Sequence, residues 1–407
     1  MPIWWARLSL SLLLACIVCG AGFAQQNVKT GAEVFLESHL DLVKGKRVGL
    51  ITNQTGRLSS GELLLDALLK RNIEVAALFA PEHGVRGDAS AGEAIVDGKD
   101  AHTGIPVYSL YGKTRKPTTE MLEGLDVLLY DIQDVGVRFY TYISTMGLAM
   151  EAAAEMGIPL IVLDRPNPLG GRIEGPILED SLKSFVGFYP IPVVYGLTCG
   201  ELALMVNGEG WLGENVCTEL TVIPMEGWER RMDWDQTGLK WVPTSPNISG
   251  ASTTLFYPAT CFIEATNLSE GRGTTTPFQV VGAPFVDGDD LSESLENENL
   301  PGICFSSLHF TPTSSKHKGV VCGGIRLEIT NQDSYRAVET GLVMLQRILQ
   351  LYPKEIALDQ SSLLHLLGSE RGLQAVIEGA AREALTETIN AGLDDFRMRS
   401  QRYRLYK

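Results

Sequence analysis

The sequence is poor in positive charge. Its 407 residues carry 34 Lys and Arg against 49 Asp and Glu, a formal net charge of −15. A nucleic-acid footprint and general adhesion to an anionic membrane both need a basic face, so neither function is expected. An anionic small ligand would need a local cluster of arginines in an otherwise acidic protein. Cysteine is also sparse. Cys16 and Cys19 fall in the N-terminal apolar run, which leaves Cys199, Cys217, Cys261, Cys304 and Cys322. An odd number at wide spacing is no disulfide framework. Cys304 and Cys322 fall in consecutive predicted strands and are the one pair that export would let oxidise. Six histidines are scattered along the chain, so no multi-histidine metal site is expected. No GxGxxG follows a strand, and GxxxxGK[ST], GxSxG and HExxH are missing. Gly170-Gly171-Arg172-Ile173-Glu174-Gly175 is glycine-rich but opens no helix. A nucleotide site is therefore not expected.

Apart from the N-terminus, no apolar run is long enough for a membrane helix. At the N-terminus, Arg7 precedes the apolar stretch Leu8 to Cys19, and Gly22-Phe23-Ala24 offers small residues at a cleavage site. This reads as a signal peptide, residues 1–24, and implies a periplasmic or secreted protein. The alternative is a lipoprotein with Leu13-Leu14-Ala15-Cys16 as lipidation box. The length suits two domains.

From residue 46, short apolar runs alternate with helical patterns. Strands are expected at Arg47 to Thr52, Val75 to Ala80, Val127 to Tyr130 and Pro159 to Leu163. Helices are expected after a Ser59/Glu62 capping box, from about Thr141 to Met156, and after a Thr198/Glu201 capping box. The rhythm predicts an α/β fold with a Rossmann-like, mainly parallel sheet, assigned to residues 25–210. Trp228 to Gly273 reads as a long irregular stretch. Strands at Gly302 to Phe310 and Val320 to Ile329 and a helix from Ser334 to Leu351 predict a smaller α/β domain, residues 211–407, with a cleft between the two.

Each strand of the first half ends in a polar cluster. Thr52 leads into Asn53-Gln54-Thr55, Ala80 into Pro81-Glu82-His83-Gly84, Tyr130 into Asp131-Ile132-Gln133-Asp134, and Leu163 into Asp164-Arg165-Pro166-Asn167. In a parallel sheet these ends share one edge, and ligands bind in the crevice outside it. Carboxylates, arginines, amides and tyrosines suit glycoside cleavage, where a carboxylic acid must protonate a poor leaving group. Glu82 is the lead acid candidate: it follows a buried strand, where partial desolvation raises a carboxyl pKa. Its alternative role is a partner of Arg86. Arg86, Arg138, Arg165 and Arg272 are candidates for a forked carboxylate contact. His83, Tyr140 and Tyr142 are candidates for binding a sugar, each with a structural alternative. Asp131 and Asp134 are rivals for a second carboxylate, and Glu264, Asn267 and Glu270 would reach in from the second half.

Together with these motifs, Asp131-Ile132-Gln133-Asp134-Val135-Gly136-Val137-Arg138-Phe139-Tyr140-Thr141-Tyr142, Asp164-Arg165-Pro166-Asn167-Pro168-Leu169-Gly170-Gly171, Trp241-Val242-Pro243-Thr244-Ser245-Pro246-Asn247 and Asn267-Leu268-Ser269-Glu270-Gly271-Arg272-Gly273-Thr274-Thr275 stand in an order that resembles the NamZ family of exo-β-N-acetylmuramidases. The resemblance runs from about residue 30 to the C-terminus. It implies release of terminal β-linked N-acetylmuramic acid from non-reducing ends of peptidoglycan fragments, without a cofactor, and it carries the catalytic glutamate to Glu82. Glu264-Ala265-Thr266-Asn267 departs from the Glu-Gly-Thr-Asn expected there, which matters if the backbone needs positive φ. The rival readings are a periplasmic sugar- or muropeptide-binding protein, a glycosidase for another amino sugar, and an amidase or esterase.

Overall fold

The computed structural model describes residues 27–81, 85–86, 97–213 and 216–407. The expected signal segment, residues 1–24, and the candidates Glu82 and His83 lie outside these residues. Arg47–Thr52 forms strand β1, buried at every position after Arg47. It is followed by β2 (Glu74–Ala80), β3 (Gly98–Lys99), β4 (Pro106–Ser109), β5 (Val127–Asp131) and β6 (Leu160–Leu163). Strands β7 (Ile173–Glu174) and β8 (Val194–Tyr195) pair as a separate ribbon, and β9 (Leu220–Ile223) returns to the main sheet.

The main sheet has seven strands in the order β3-β4-β2-β1-β5-β6-β9, parallel except at the β3–β4 edge. Taken in chain order, its six parallel strands run 3-2-1-4-5-6, the doubly wound order of dinucleotide-binding folds. Helices cover both faces, as an all-parallel sheet requires. Helices 31–38 and 64–70 pack on one face and helices 142–156 and 199–208 on the other.

Several expected elements shift. Thr198 and Glu201 do form a reciprocal capping box over helix 199–208. Ser59 and Glu62 do not. The Ser59 hydroxyl bonds Glu33 of the neighbouring helix, Glu62 pairs with Lys70, and the helix starts at Leu64. The first sheet takes β9 from beyond residue 210, so the boundary placed there moves later. Residues 393–407 also come back to the first half: Leu393 and Phe396 are buried in its core, and Tyr406 donates to Asp164.

The second half has its own sheet, β10 (Val280–Ala283), β11 (Ile303–Phe310) and β12 (Cys322–Ile329), antiparallel in the order β10-β12-β11. Helix 288–296 packs on it, and helices 253–260 and 337–351 pack against each other in the same core, so the stretch expected to be irregular contains a helix. In the β11–β12 register Cys304 faces Glu328 and Cys322 faces Phe310. The two cysteines thus sit six residues apart along the ladder, roughly 20 Å, far beyond disulfide reach. Both are free thiols. Val135, Val137 and Phe139 from the first half are buried in this second core, so the halves share apolar contacts.

Candidate functional site

Strands β1 and β5 are neighbours, with Thr52 opposite Asp131. From this pair the chain winds outward in opposite directions, so the crevice outside their carboxyl ends is the switch point where doubly wound folds bind ligands. A cavity of about 370 Å³ lies there. Thr55, Arg57, Gln133 and Arg165 line it from the sheet edge, and Trp234, Lys240, Trp241 and Pro243 from the long stretch. That volume is within the range of small-molecule pockets. A strap crosses the edge beside it. Gln54 Nε2 donates to Pro243 O at 2.9 Å, and the Tyr142 hydroxyl donates to Thr244 O at 2.7 Å. Both tryptophans spend their indole N–H on nearby carbonyls, Trp234 on Leu239 and Trp241 on Ile248, so the rings are fixed. Lys240 is exposed, and among the described residues it makes no ion pair.

Most of the polar clusters build the edge rather than open onto it. Asn53 Oδ1 accepts from the Thr55 N–H and hydroxyl, closing the turn after β1. Gln133 Nε2 donates to Asp134 O and Pro166 O, tying the β5 and β6 ends together, while its side chain also faces the cavity. Asn167 is buried between the Leu169 N–H and Leu197 O. It also stands where a Cβ on Gly136 (φ +79°) would collide with its side chain, at 2.2 Å. Asp164 is fully buried and accepts from the Thr198 and Tyr406 hydroxyls and the Arg165 and Gly200 N–H groups. Tyr142 is buried as well. Tyr142, Asp164 and Asn167 therefore act as positioning groups, their buried polar atoms already paired with protein, whereas Asn53 Nδ2 and Asp134 Oδ1 are buried without a partner among the described residues.

The four candidate arginines are all committed. Arg86 grips Asp100 with two bonds, 2.7 and 3.0 Å, and this holds the Asp100 carboxyl well below the usual carboxylate range. Arg165 grips Asp131 in the same way, at 2.5 and 2.9 Å. Arg272 joins Glu264 at 2.6 Å and Glu270 at 3.0 Å, with Lys316 on the far side of Glu270. Arg138 is completely buried. Its guanidinium donates to the carbonyls of Pro176, Ile191, Leu366 and Leu367, so it clamps the halves together and is not open to a sugar carboxylate. Burial pushes its pKa down to about 9.

From the second half, Asn267 does not reach the edge. Its side chain latches the 355–357 loop through Ala357 N–H and Glu355 O. Ala265 ends a short 3-10 helix without positive φ, so the departure from glycine costs nothing there. Half-buried Tyr140 is the link across the seam: its ring meets Tyr142 at 4.9 Å and Tyr257 at 5.8 Å, and Tyr257 packs on Phe278 beneath Arg272.

Asp134 has an uncompensated burial. Its Oδ2 accepts from Gly136 N–H and the Tyr195 hydroxyl, but Oδ1 has no partner, and burial pushes its pKa up to about 6. The native state therefore holds a proton that the unfolded chain releases near the ordinary aspartate pKa of about 3.9. The sign follows: between about pH 4 and 6 the folded form binds more protons, so this group makes stability fall as pH rises. Asp134→Asn should flatten that slope by about 2 kcal/mol or more between those pH values, measured by urea unfolding. An unchanged slope would refute it. Asp164 also sits near 6, but both its oxygens accept hydroxyls or N–H groups, so Asn there would misplace donors.

Trp234, Trp241, Lys240 and Arg57 were not named as candidates from the sequence. The signal available was the length and tryptophan content of residues 228–273. Comparison with known proteins places the site in context. The chain matches family models described as exo-β-N-acetylmuramidase NamZ, the N-terminal part over residues 48–252 and the C-terminal part over 255–406. It is 48% identical over 382 residues to the peptidoglycan β-N-acetylmuramidase NamZ of Bacillus subtilis (strain 168), covering 93% of this chain and 91% of that protein. Two crystal structures of DUF1343 family proteins from Bacteroides fragilis NCTC 9343 are similar. One superposes with a TM-score of 0.87 at 43% identity and covers 94% of this chain and 99% of its own. The other gives 0.78 at 32% identity, with the same coverage of 94% and 99%.

Proposed function

The chain belongs to the NamZ family of exo-β-N-acetylmuramidases, and we propose from this that it is a glycoside hydrolase releasing terminal β-linked N-acetylmuramic acid from peptidoglycan fragments with Glu82 as proton donor. The observation that carries the mechanistic reading is the character of the crevice. Among the described residues lining it there is no carboxylate, while amide, hydroxyl, cation and two tryptophans are present. Pro81, which precedes Glu82, follows β2, the neighbour of β1 at this edge. A crevice whose described lining residues include no carboxylate suits catalysis assisted by the substrate. The carbonyl oxygen of the sugar's 2-acetamido group attacks C1 as the bond to the leaving oxygen breaks and Glu82 supplies the proton. Water, deprotonated by the Glu82 carboxylate, then opens the cyclic intermediate from the other face. Two inversions give net retention.

With Arg86 and Arg138 committed elsewhere, Lys240 and Arg57 are cations in the crevice suited to the lactyl carboxylate. The N-terminal apolar segment supports export, so the enzyme would act outside the cytoplasm. Among the described residues no helix is long and apolar enough to cross a membrane. Aryl β-glycosides of N-acetylmuramic acid, N-acetylglucosamine and glucose decide the sugar, with an ester as control. The muramic acid glycoside should be turned over at least about tenfold faster than the others, a margin of about 1.4 kcal/mol in transition-state binding. Proton NMR of the first product should show the β-anomer. Preference for another sugar refutes the substrate assignment, and an α-anomer refutes the acetamido mechanism.

A further inference from the structure

The crevice is held from behind by a residue far along the chain. Strands β6 and β9 end side by side, where the Asp164 N–H donates to Ile223 O at 3.1 Å. Beyond this point the two branches part. One continues through Arg165, which lines the crevice. The other continues through Met225 and Trp228 to the wall of Trp234, Leu239 and Trp241. Tyr406 stands in the fork. Its hydroxyl donates to Asp164 Oδ2 at 2.7 Å and accepts from the Met225 N–H at 2.9 Å. A phenol oxygen both donates and accepts, so a single atom joins the two branches.

Each branch carries the tie to the crevice. On the Met225 side, the Tyr406 ring meets Trp228 edge-on at 5.0 Å. It packs on the small apolar cluster of Val28, Met225 and Trp228, against which Leu239 also packs. The residues around Tyr406 are fixed as well: the Arg230 N–H donates to Lys407 O at 2.8 Å, and Glu201 accepts both the Leu405 N–H and the Arg230 guanidinium. On the Asp164 side, the backbone carbonyl of Asp164 accepts the Gly31 N–H at 2.8 Å. A Cβ on Gly31 would meet Asp164 N at 2.3 Å, so helix 31–38 is seated directly on this residue. Thr30, the N-cap of that helix, lines the crevice. The Asp164 carboxylate has three other donors, the Arg165 and Gly200 N–H groups and the Thr198 hydroxyl, all on segments close to the β6 end. What Tyr406 adds is the connection to Met225.

We propose that Tyr406 is a positioning residue of the crevice: by tying Asp164 to Met225 it sets the spacing between the Thr30 and Arg165 side and the tryptophan side. It touches no sugar and acts only through the two branches it joins. The inference rests on the reading of the crevice as the sugar site and adds to that site a residue outside its lining. The spacing governs how well a ring is held between the walls. Proton delivery from Glu82 does not depend on it, so loss of the tie should fall on KM and leave kcat nearly unchanged.

The experiment compares the full-length wild type with Tyr406→Phe and Tyr403→Phe. Tyr406→Phe keeps the ring on Trp228 and leaves Asp164 its three other donors, so the fold should survive. Tyr403→Phe removes an equivalent hydroxyl a few residues away, one that donates to Glu209 at 2.8 Å, and is the control. Kinetics on the aryl muramic acid glycoside are paired with hydrogen exchange of residues 225–243. Tyr406→Phe should raise KM about tenfold with kcat within about twofold, and speed exchange in 225–243 about tenfold. Tyr403→Phe should leave both at the wild-type level. A Tyr406→Phe enzyme with wild-type KM overturns the proposal. So does an equal change in the two variants, which would make both hydroxyls merely structural. A wild type that cleaves no muramic acid glycoside, with exchange in 225–243 quickened by Tyr406→Phe alone, upholds the tie and overturns the muramidase reading instead.

Discussion

Changing Glu82 to Gln should lower kcat on an unactivated β-N-acetylmuraminide by about 10²–10⁴-fold, the usual contribution of a positioned general acid. Gln keeps the volume and the hydrogen-bonding reach of the side chain but cannot deliver a proton to the leaving oxygen. KM and thermal midpoint should therefore stay close to those of the wild type. The size of the loss should depend on the leaving group. An aryl glycoside whose phenol leaves without protonation bypasses the first role of Glu82, so there the deficit should shrink by at least about tenfold. A uniform deficit on both substrates would assign Glu82 to the water-activating step instead, and a loss below about tenfold on the unactivated substrate would remove it from the chemistry. A binding protein would show no turnover to lose.

The second large effect is on stability. Arg138→Met should cost about 3–5 kcal/mol, the range for breaking a buried charged hydrogen-bond network by removing one side of it. The methionine fills much of the volume but leaves the carbonyls of Pro176, Ile191, Leu366 and Leu367 without their shared donor. Each orphaned carbonyl costs about 1–3 kcal/mol before relaxation. Arg138→Lys should recover only part, since an ammonium on a flexible stem cannot span four carbonyls in a planar fan. Chemical unfolding followed at both tryptophan fluorescence and far-UV dichroism measures it. A loss under about 1 kcal/mol would mean that water replaces the guanidinium and that the clamp is dispensable.

Arg138 also shows what the sequence could and could not disclose. The strands were legible because they are buried apolar runs ended abruptly by polar residues: β1 coincides with Arg47 to Thr52, and β5 and β6 lie within a residue of expectation. The carboxyl edge followed from strand parallelism alone. β4 and β9 were missed because both are short and only partly buried, which erases the apolar signal. The roles of the polar clusters were not legible. Local sequence says that Arg138, Asp164 and Asn167 follow strands; it does not say whether they face a ligand or a carbonyl. That depends on partners 30 to 240 residues away, such as Leu367 for Arg138 and Tyr406 for Asp164. The Ser59/Glu62 pair failed for the same reason, since Glu33 outcompetes the helix N-terminus for the Ser59 hydroxyl.

The return of residues 393–407 to the first half changes what counts as a unit of this protein. Besides burying Leu393 and Phe396, it sends the Leu405 N–H to Glu201 and the Tyr406 hydroxyl to Asp164. After the second sheet and its helices, the chain thus rejoins the larger body through its last residues. A single cut between the halves yields neither as an intact piece, because a fragment ending near residue 252 exposes the groove its own tail should fill. Chimeras with relatives should keep the last fifteen residues with the first sheet.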